Sequence, residues 1–226
     1  MIWSCLQGHM GTAVPDREQR PTAARIEIGD FCFFAGVPNC ILVQTCKAPI
    51  LVPHTEEWER LIEAVWGDAV KKELRYASKK EPHVFDARRL AAFASSLDPA
   101  YGLRPMDQFL YTQALAESWS RDLCSQFNDY DDYRRRGLGV AVLHRGRLVA
   151  GASSYTVYTG GIEIEIDTRP ECRQKGLATA CGAKLMLHCL QRGLYPSWDA
   201  HDLRSVSLAQ KLGYHLDRPY TVYCKR

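Results

Sequence analysis

The chain has 226 residues, enough for one large domain or two small ones with a proper core. Its 46% hydrophobic and 24% charged content and its formal net charge of +3 are those of an ordinary globular protein. The mild charge argues against a nucleic-acid or membrane-surface partner. No apolar run reaches the roughly 20 residues needed to span a bilayer. Residues 1–5 lack the basic and apolar regions of a secretory signal, so a cytoplasmic location is expected. Nine cysteines, an odd count with no Cys-x-x-Cys pair, fit neither a disulfide framework nor a zinc site. Cys32, Cys40 and Cys46 in a strand-like region, and Cys181 and Cys189 on a helix, read as buried free thiols, with no metal expected.

Short apolar runs over residues 24–28, 31–35, 41–43 and 50–52 predict strands. A helix is expected from Thr55, with Trp58, Leu61, Ile62 and Val65 on one face, and a second from near Asp86. Gln7-Gly8-His9-Met10-Gly11 reads as a turn rather than a site. Further on, residues 107–117 and 129–136 predict helices, the second stopped by Gly137 with Arg134, Arg135 and Arg136 in its last turn. Residues 139–144 and 147–158 form a hairpin across Arg145-Gly146, and a third strand covers 161–168. A loop containing Pro170 leads to a long helix over 174–192 with Gly193 as its cap. A short strand at 196–199, a helix capped by Asp202 and ended by Gly213, and strands at 214–216 and 220–224 complete the chain. One strand–helix–strand crossover lies within this order, and such crossovers are right-handed.

That crossover carries Arg173-Gln174-Lys175-Gly176-Leu177-Ala178. A loop turning directly into a helix leaves backbone N–H groups unpaired at the positive end of the helix dipole, which makes an anion site. Gly176 allows close approach to the backbone, Ala178 is small, Arg173 and Lys175 add positive charge, and no acidic side chain follows in the first two turns. The bland alternative is an ordinary strand-to-helix loop. The neighbouring Cys172 has no histidine nearby in sequence to activate it as a nucleophile.

This segment resembles the diphosphate-binding motif of the GCN5-related N-acetyltransferase (GNAT) superfamily, Arg/Gln-x-x-Gly-x-Gly/Ala. Residues 205–214, Ser-Val-Ser-Leu-Ala-Gln-Lys-Leu-Gly-Tyr, look like its late helix, with Asp202 at the usual Asn position and Tyr214 at the usual Phe position. The resemblance covers about residues 101–224. Gly151-Ala152-Ser153-Ser154-Tyr155, the 161–168 strand and Pro196-Ser197-Trp198-Asp199-Ala200 are further similar to a bacterial subfamily that includes an aminopolyol-antibiotic resistance acetyltransferase and has an extra N-terminal region. The resemblance implies an α/β (α+β) fold of GNAT type: a mixed, mostly antiparallel sheet with one β-α-β crossover, plus a smaller N-terminal α+β region. The expected division is residues 1–98 and 99–226. It also implies acetyl-CoA as co-substrate, with Arg173, Gln174, Lys175, Gly176, Leu177 and Ala178 around the diphosphate, Ile166, Asp167 and Thr168 along the pantetheine arm, and Ser205 nearby. A departure is Ala209, where the superfamily often places a tyrosine that reprotonates the departing thiolate; Ser205, Tyr214 and Tyr220 are nearby substitutes.

In Gly161-Ile162-Glu163-Ile164-Glu165-Ile166-Asp167-Thr168 the isoleucines face one way and the acids the other. Carboxylates sharing a face repel, which raises the pKa of at least one, and such a group can take the proton an ammonium must lose before attacking a thioester. Glu165, nearer the loop, leads over Glu163 as the base; a solvated face is the alternative. Asp199 and His201 lie two apart at the next strand's end and could help orient an amine, although a structural loop histidine competes with that reading. The expected reaction is direct transfer of an acetyl group to an amine on a small molecule or a protein, by a protein that could dimerise. The competing readings are a non-catalytic acyl-CoA sensor and an unrelated phosphate-binding module.

Overall fold

The computed structural model describes residues 1–226. The chain forms two compact units, one of residues 1–76 with 218–226, the other of residues 77–217. The boundary thus lies at Tyr76/Ala77 rather than at residue 98, and the last nine residues return to the first unit. Helix-forming residues 87–95 fall in the second unit because they pack on its long central helix.

The first unit comprises α1 (Ile2–Leu6), β1 (Thr12–Pro15), β2 (Ala23–Ile28), β3 (Phe31–Gly36), α2 (Cys40–Gln44), β4 (Ile50–Val52), α3 (Glu56–Trp66) and most of β5 (Val70–Ser78). Its strands run in the order β1-β2-β3-β4-β12-β5, where β12 is the final strand, Leu216–Lys225. A buried cluster including Phe34, Val43, Leu51, Trp58, Ile62 and Tyr223 lies between sheet and helices. Residues 41–43, expected as a strand, lie in α2. Asn39 caps them, its side chain accepting from the N–H groups of Ile41 (3.0 Å) and Leu42 (3.2 Å), and this local bond overrides the β-branched run. Of the two closing runs expected as strands, 220–224 lies in β12, which begins only at Leu216, so residues 214 and 215 precede it.

The second unit comprises α4 (Ala87–Ser95), β6 (Tyr101–Pro105), α5 (Gln108–Ala116), α6 (Tyr130–Arg136), β7 (Gly139–His144), β8 (Arg147–Tyr158), β9 (Gly161–Thr168), α7 (Leu177–Gln191), β10 (Tyr195–Ser197), β11 (Asp199–Ala200) and α8 (Leu203–Leu212). Its five-stranded sheet has the order β10-β9-β8-β7-β6. All neighbours are antiparallel except β10 and β9, which are parallel and joined by α7. Leu177, Cys181, Leu185 and Met186 of α7 are fully buried, as are Ala141, Val142, Ala150 and Ala152 of the sheet. This is the mixed, mostly antiparallel sheet with a single crossover that the sequence predicts. The cap expected at Asp202 is formed, its side chain accepting from the Ser205 N–H; Asp107 and Asp129 likewise each accept from a first-turn N–H and Asp86 from two, whereas Thr55, before α3, makes no such bond.

Candidate active site

The site is built where β9 parts from β10. β9 stays paired with β8 along its whole length, from Tyr158↔Gly161 to Ala150↔Thr168. A bulge at Tyr155, between the Ser154↔Ile164 and Thr156↔Glu163 pairs, increases the local twist. On its other edge β9 is paired only from Gly161 to Glu163, where β10 ends at Ser197. The Tyr195 N–H donates to the Gly160 carbonyl (2.8 Å), so even-numbered residues of β9 turn their peptide groups toward β10. Beyond the end of β10, the peptide groups of Ile166 and Thr168 therefore face a gap between the strands.

After β9 the chain makes one 3-10 turn, Pro170–Cys172, and enters α7 through two left-handed residues, Gln174 (φ 63°) and Gly176 (φ 75°). The Ala180 N–H is bonded to the Gly176 carbonyl (3.1 Å), so the amides of residues 177–179 precede the helical ladder and are donors for a ligand. A Cβ on Gly176 would meet nothing within 4 Å, because that side of the backbone opens into space. A pocket of about 320 Å³ lies there, lined by Thr168, Cys172, Arg173, Gln174, Gly176, Leu177, Ala178, Thr179, Arg204 and Leu208. No carboxylate lines it. Thr168 Oγ1 is buried without a hydrogen-bond partner in the pocket wall, so a polar group is prepared there for something the protein does not supply.

Of the cofactor residues expected from sequence, the pocket gathers Thr168, Arg173, Gln174, Gly176, Leu177 and Ala178; Ile166, Asp167, Lys175 and Ser205 are not in its wall. Ser205 instead accepts from the Trp198 indole N–H (3.1 Å), while its own N–H donates to Asp202 (2.9 Å). Sequence reasoning missed Thr179, Arg204 and Leu208. The last two stand four apart on α8, so one face of that helix presents both, a signal available from the Asp202 cap and helical spacing. The Arg204 guanidinium is held by Asp202 through Nε (2.9 Å) and Nη2 (2.6 Å).

The acids lie on the other face of β9. Ile166 points at α7, with its Cδ1 2.9 Å from where a Cβ on Gly182 would stand, so the odd-numbered Glu163, Glu165 and Asp167 face away from that helix. Glu163 is 8% exposed, and burial pushes its carboxyl pKa up; Asp199 pushes it further, while positive charges, Lys80 among them, oppose. Lys80 is itself fixed by the Tyr158 hydroxyl (3.0 Å), which also bonds the Ser197 hydroxyl (2.8 Å). Asp167 is pushed up to about 6 by burial and by Asp122, against the pull of Arg173. Glu165 is half-buried between them. Asp199 is half-buried in β11, but that strand ends at Ala200, leaving His201 in an exposed turn beyond it.

Neither Ala209 nor Tyr214 offers an acid. Ala209 is buried, and Tyr214, also buried, donates its hydroxyl to the Pro196 carbonyl (2.6 Å).

Comparisons with known proteins bear on this geometry. A family model described as GNAT acetyltransferase matches residues 1–223. The chain is 46% identical to a GCN5-related N-acetyltransferase-like protein from Streptococcus suis 89/1591, whose crystal structure it matches over 100% of its own length and 92% of that chain with a TM-score of 0.97. It is 25% identical over 183 residues to an uncharacterised N-acetyltransferase of Bacillus subtilis (strain 168), covering 80% of this chain and 67% of the relative. A GCN5-related N-acetyltransferase from Kribbella flavida shares the fold at a TM-score of 0.60 and 14% identity, over 99% of this chain and 94% of that one. No helix is long and apolar enough to cross a membrane.

Proposed function

Since the chain belongs to the GNAT acetyltransferase family and is thereby an N-acetyltransferase, we propose that the pocket at the start of α7 holds the diphosphate of acetyl-CoA and that Glu163 accepts the proton of the attacking amine. The observation that carries the cofactor assignment is the composition of that wall. It combines first-turn amides, the open side of Gly176, the unpartnered Thr168 Oγ1 and the cations Arg173 and Arg204, with no opposing carboxylate. These are the donors a diphosphate requires. Lys175 contributes its charge at longer range.

Acetyl-CoA, when bound, supplies the activated acetyl group. The protein's part is positioning and electrostatics. The peptide edge of Ile166 and Thr168, left by β10, pairs with the amides of a pantetheine arm as a further strand would, and an N–H of this edge polarises the thioester carbonyl. Glu163 sits at the mouth of the gap, where β10 ends. A carboxyl raised by burial is better matched to an ammonium proton than an exposed one. We place Glu163 ahead of Glu165 because it is the more buried, and because Asp199 adds a second negative charge that favours a cationic acceptor. His201, exposed beyond the strand end, is assigned no proton transfer. With Ala209 and Tyr214 both unable to donate to it, the thiolate departs to solvent; a thiol near pKa 8.5 is a good leaving group without help.

Titration with coenzyme A tests the pocket, and thiol release across a panel of amines tests the reaction. Gly176→Trp should abolish coenzyme A binding while the fold persists. Unchanged affinity in that variant would remove the diphosphate from this site.

A further inference from the structure

We propose that Glu27, Cys32 and Cys46, in the first unit, form a binding site for a thiophilic divalent cation of the zinc class. One oxygen of Glu27 and the two sulfurs all lie within 4.8 Å of one another, a spacing that lets a single ion touch all three. The fold brings them together from three places. Glu27 on β2 and Cys32 on β3 are direct cross-strand partners, so their side chains leave the same face of the sheet side by side. Cys46 arrives from the segment after α2, and the Cys32 thiol donates to its sulfur.

Two buried cysteines are ordinarily apolar filling. The carboxylate beside them is not. Glu27 Oε1 is buried and accepts no hydrogen bond, although Arg25 Nε stands 2.7 Å away as an ion-pair partner. Packing alone gives no reason to lodge a carboxylate, already paired with a guanidinium, against two sulfurs, whereas a cation takes all three as ligands at once.

The charges also balance. Two thiolates and a carboxylate carry three negative charges, and a dication together with the Arg25 guanidinium brings three positive ones. Arg25 is in turn anchored to the end of α2 through the Leu42 carbonyl (2.7 Å), and Lys225 bonds the Cys46 carbonyl (2.6 Å). These contacts hold the third ligand in place before an ion arrives. Such outer contacts are what make a metal site pre-formed rather than assembled on demand. With three protein ligands, a fourth tetrahedral position is left for water on the side where Glu27 is partly exposed.

The test uses the full chain, reduced and stripped with a chelator, then titrated with Zn²⁺ against a chromophoric competitor and, separately, with Co²⁺. One equivalent should bind, with a thiolate-to-cobalt charge-transfer band, and Zn²⁺ should raise the thermal midpoint. The Cys32→Ser/Cys46→Ser double variant should lose that equivalent. Glu27→Gln keeps both thiols and the shape of the site, and should weaken zinc affinity by about tenfold or more. If the double variant does not fold, Glu27→Gln decides alone. A wild-type chain that takes up no equivalent overturns the proposal, as does a variant that binds as the wild type does.

Discussion

Ser197 stands opposite Glu163 at the last step of the β9–β10 ladder. The most buried carboxylate of the acidic face is therefore placed where the two strands separate. Glu163→Gln should lower kcat by about 10²- to 10⁴-fold while leaving coenzyme A affinity within about twofold. The pH profile adds a second readout. Glu163 must be ionised to accept a proton, and burial raises its pKa, so wild-type activity should fall as pH drops through a raised value. That acidic limb should be absent in the variant. A profile unchanged by the substitution would move the base elsewhere on the strand, with Glu165 next.

Asp167 gives a prediction about stability. Its carboxyl is raised to about 6 by burial and by Asp122. A raised carboxyl binds its proton more tightly in the folded state than in the unfolded one. The folded state is therefore penalised above pH 6, and the penalty is relieved as pH falls from about 6 toward the ordinary value near 4. Asp167→Asn should be more stable than wild type at pH 7 by up to about 2 kcal/mol after allowance for partial solvation, with the gain vanishing near pH 4. Urea denaturation at the two pH values measures it; an equal effect at both would mean the carboxyl is not raised.

The glycine-bounded helix α7, the Arg145-Gly146 hairpin and the alternating β9 are legible in the chain because each has a strong local signal: a cap, a turn or a period. β5 and β6 are not, since Lys71, Lys72 and Glu73 in one and Gly102 and Pro105 in the other obscure any alternation, and pairing partners far away in sequence decide their conformation. The same limit governs the site. Its loop half is contiguous in sequence, so Arg173 to Ala178 could be read directly, whereas Arg204 and Leu208 join it only through the packing of α8. The meeting of Cys32 with Cys46 likewise depends on Asn39 turning an apolar run into a helix, which periodicity alone reads as a strand.

Arg204 separates charge from structure in the pocket. It lines the wall yet is largely exposed, paired with the helix cap Asp202. Arg204→Ala should change stability little, as exposed ion pairs do, and weaken coenzyme A binding on the order of tenfold, with a shallower salt dependence. Asp202→Ala should do the reverse. Removing the cap that accepts from the Ser205 N–H should cost about 1 kcal/mol, with coenzyme A affinity held or improved because Arg204 is released. Calorimetric titration at two salt concentrations distinguishes the pair, and equal losses of affinity in both would mean that α8 itself, rather than the guanidinium, shapes the wall.

Tyr214 is a structural tyrosine by its bonding, and its substitution tests whether the late helix takes part in the chemistry. Its hydroxyl donates to the Pro196 carbonyl, and its ring packs edge-on against Phe85 at 4.8 Å and tilted against Trp198 at 5.4 Å. Burial drives its pKa well above the ordinary phenol value, which makes it a poor proton donor to a thiolate near neutral pH. Tyr214→Phe retains the ring contacts but leaves the β10 carbonyl without its donor, which should cost about 1–3 kcal/mol of stability. At temperatures where the variant is folded, kcat should stay within about twofold of wild type, and its pH dependence on the alkaline side should not move. A large fall in kcat at unchanged stability would instead make this hydroxyl the acid that Ala209 does not supply.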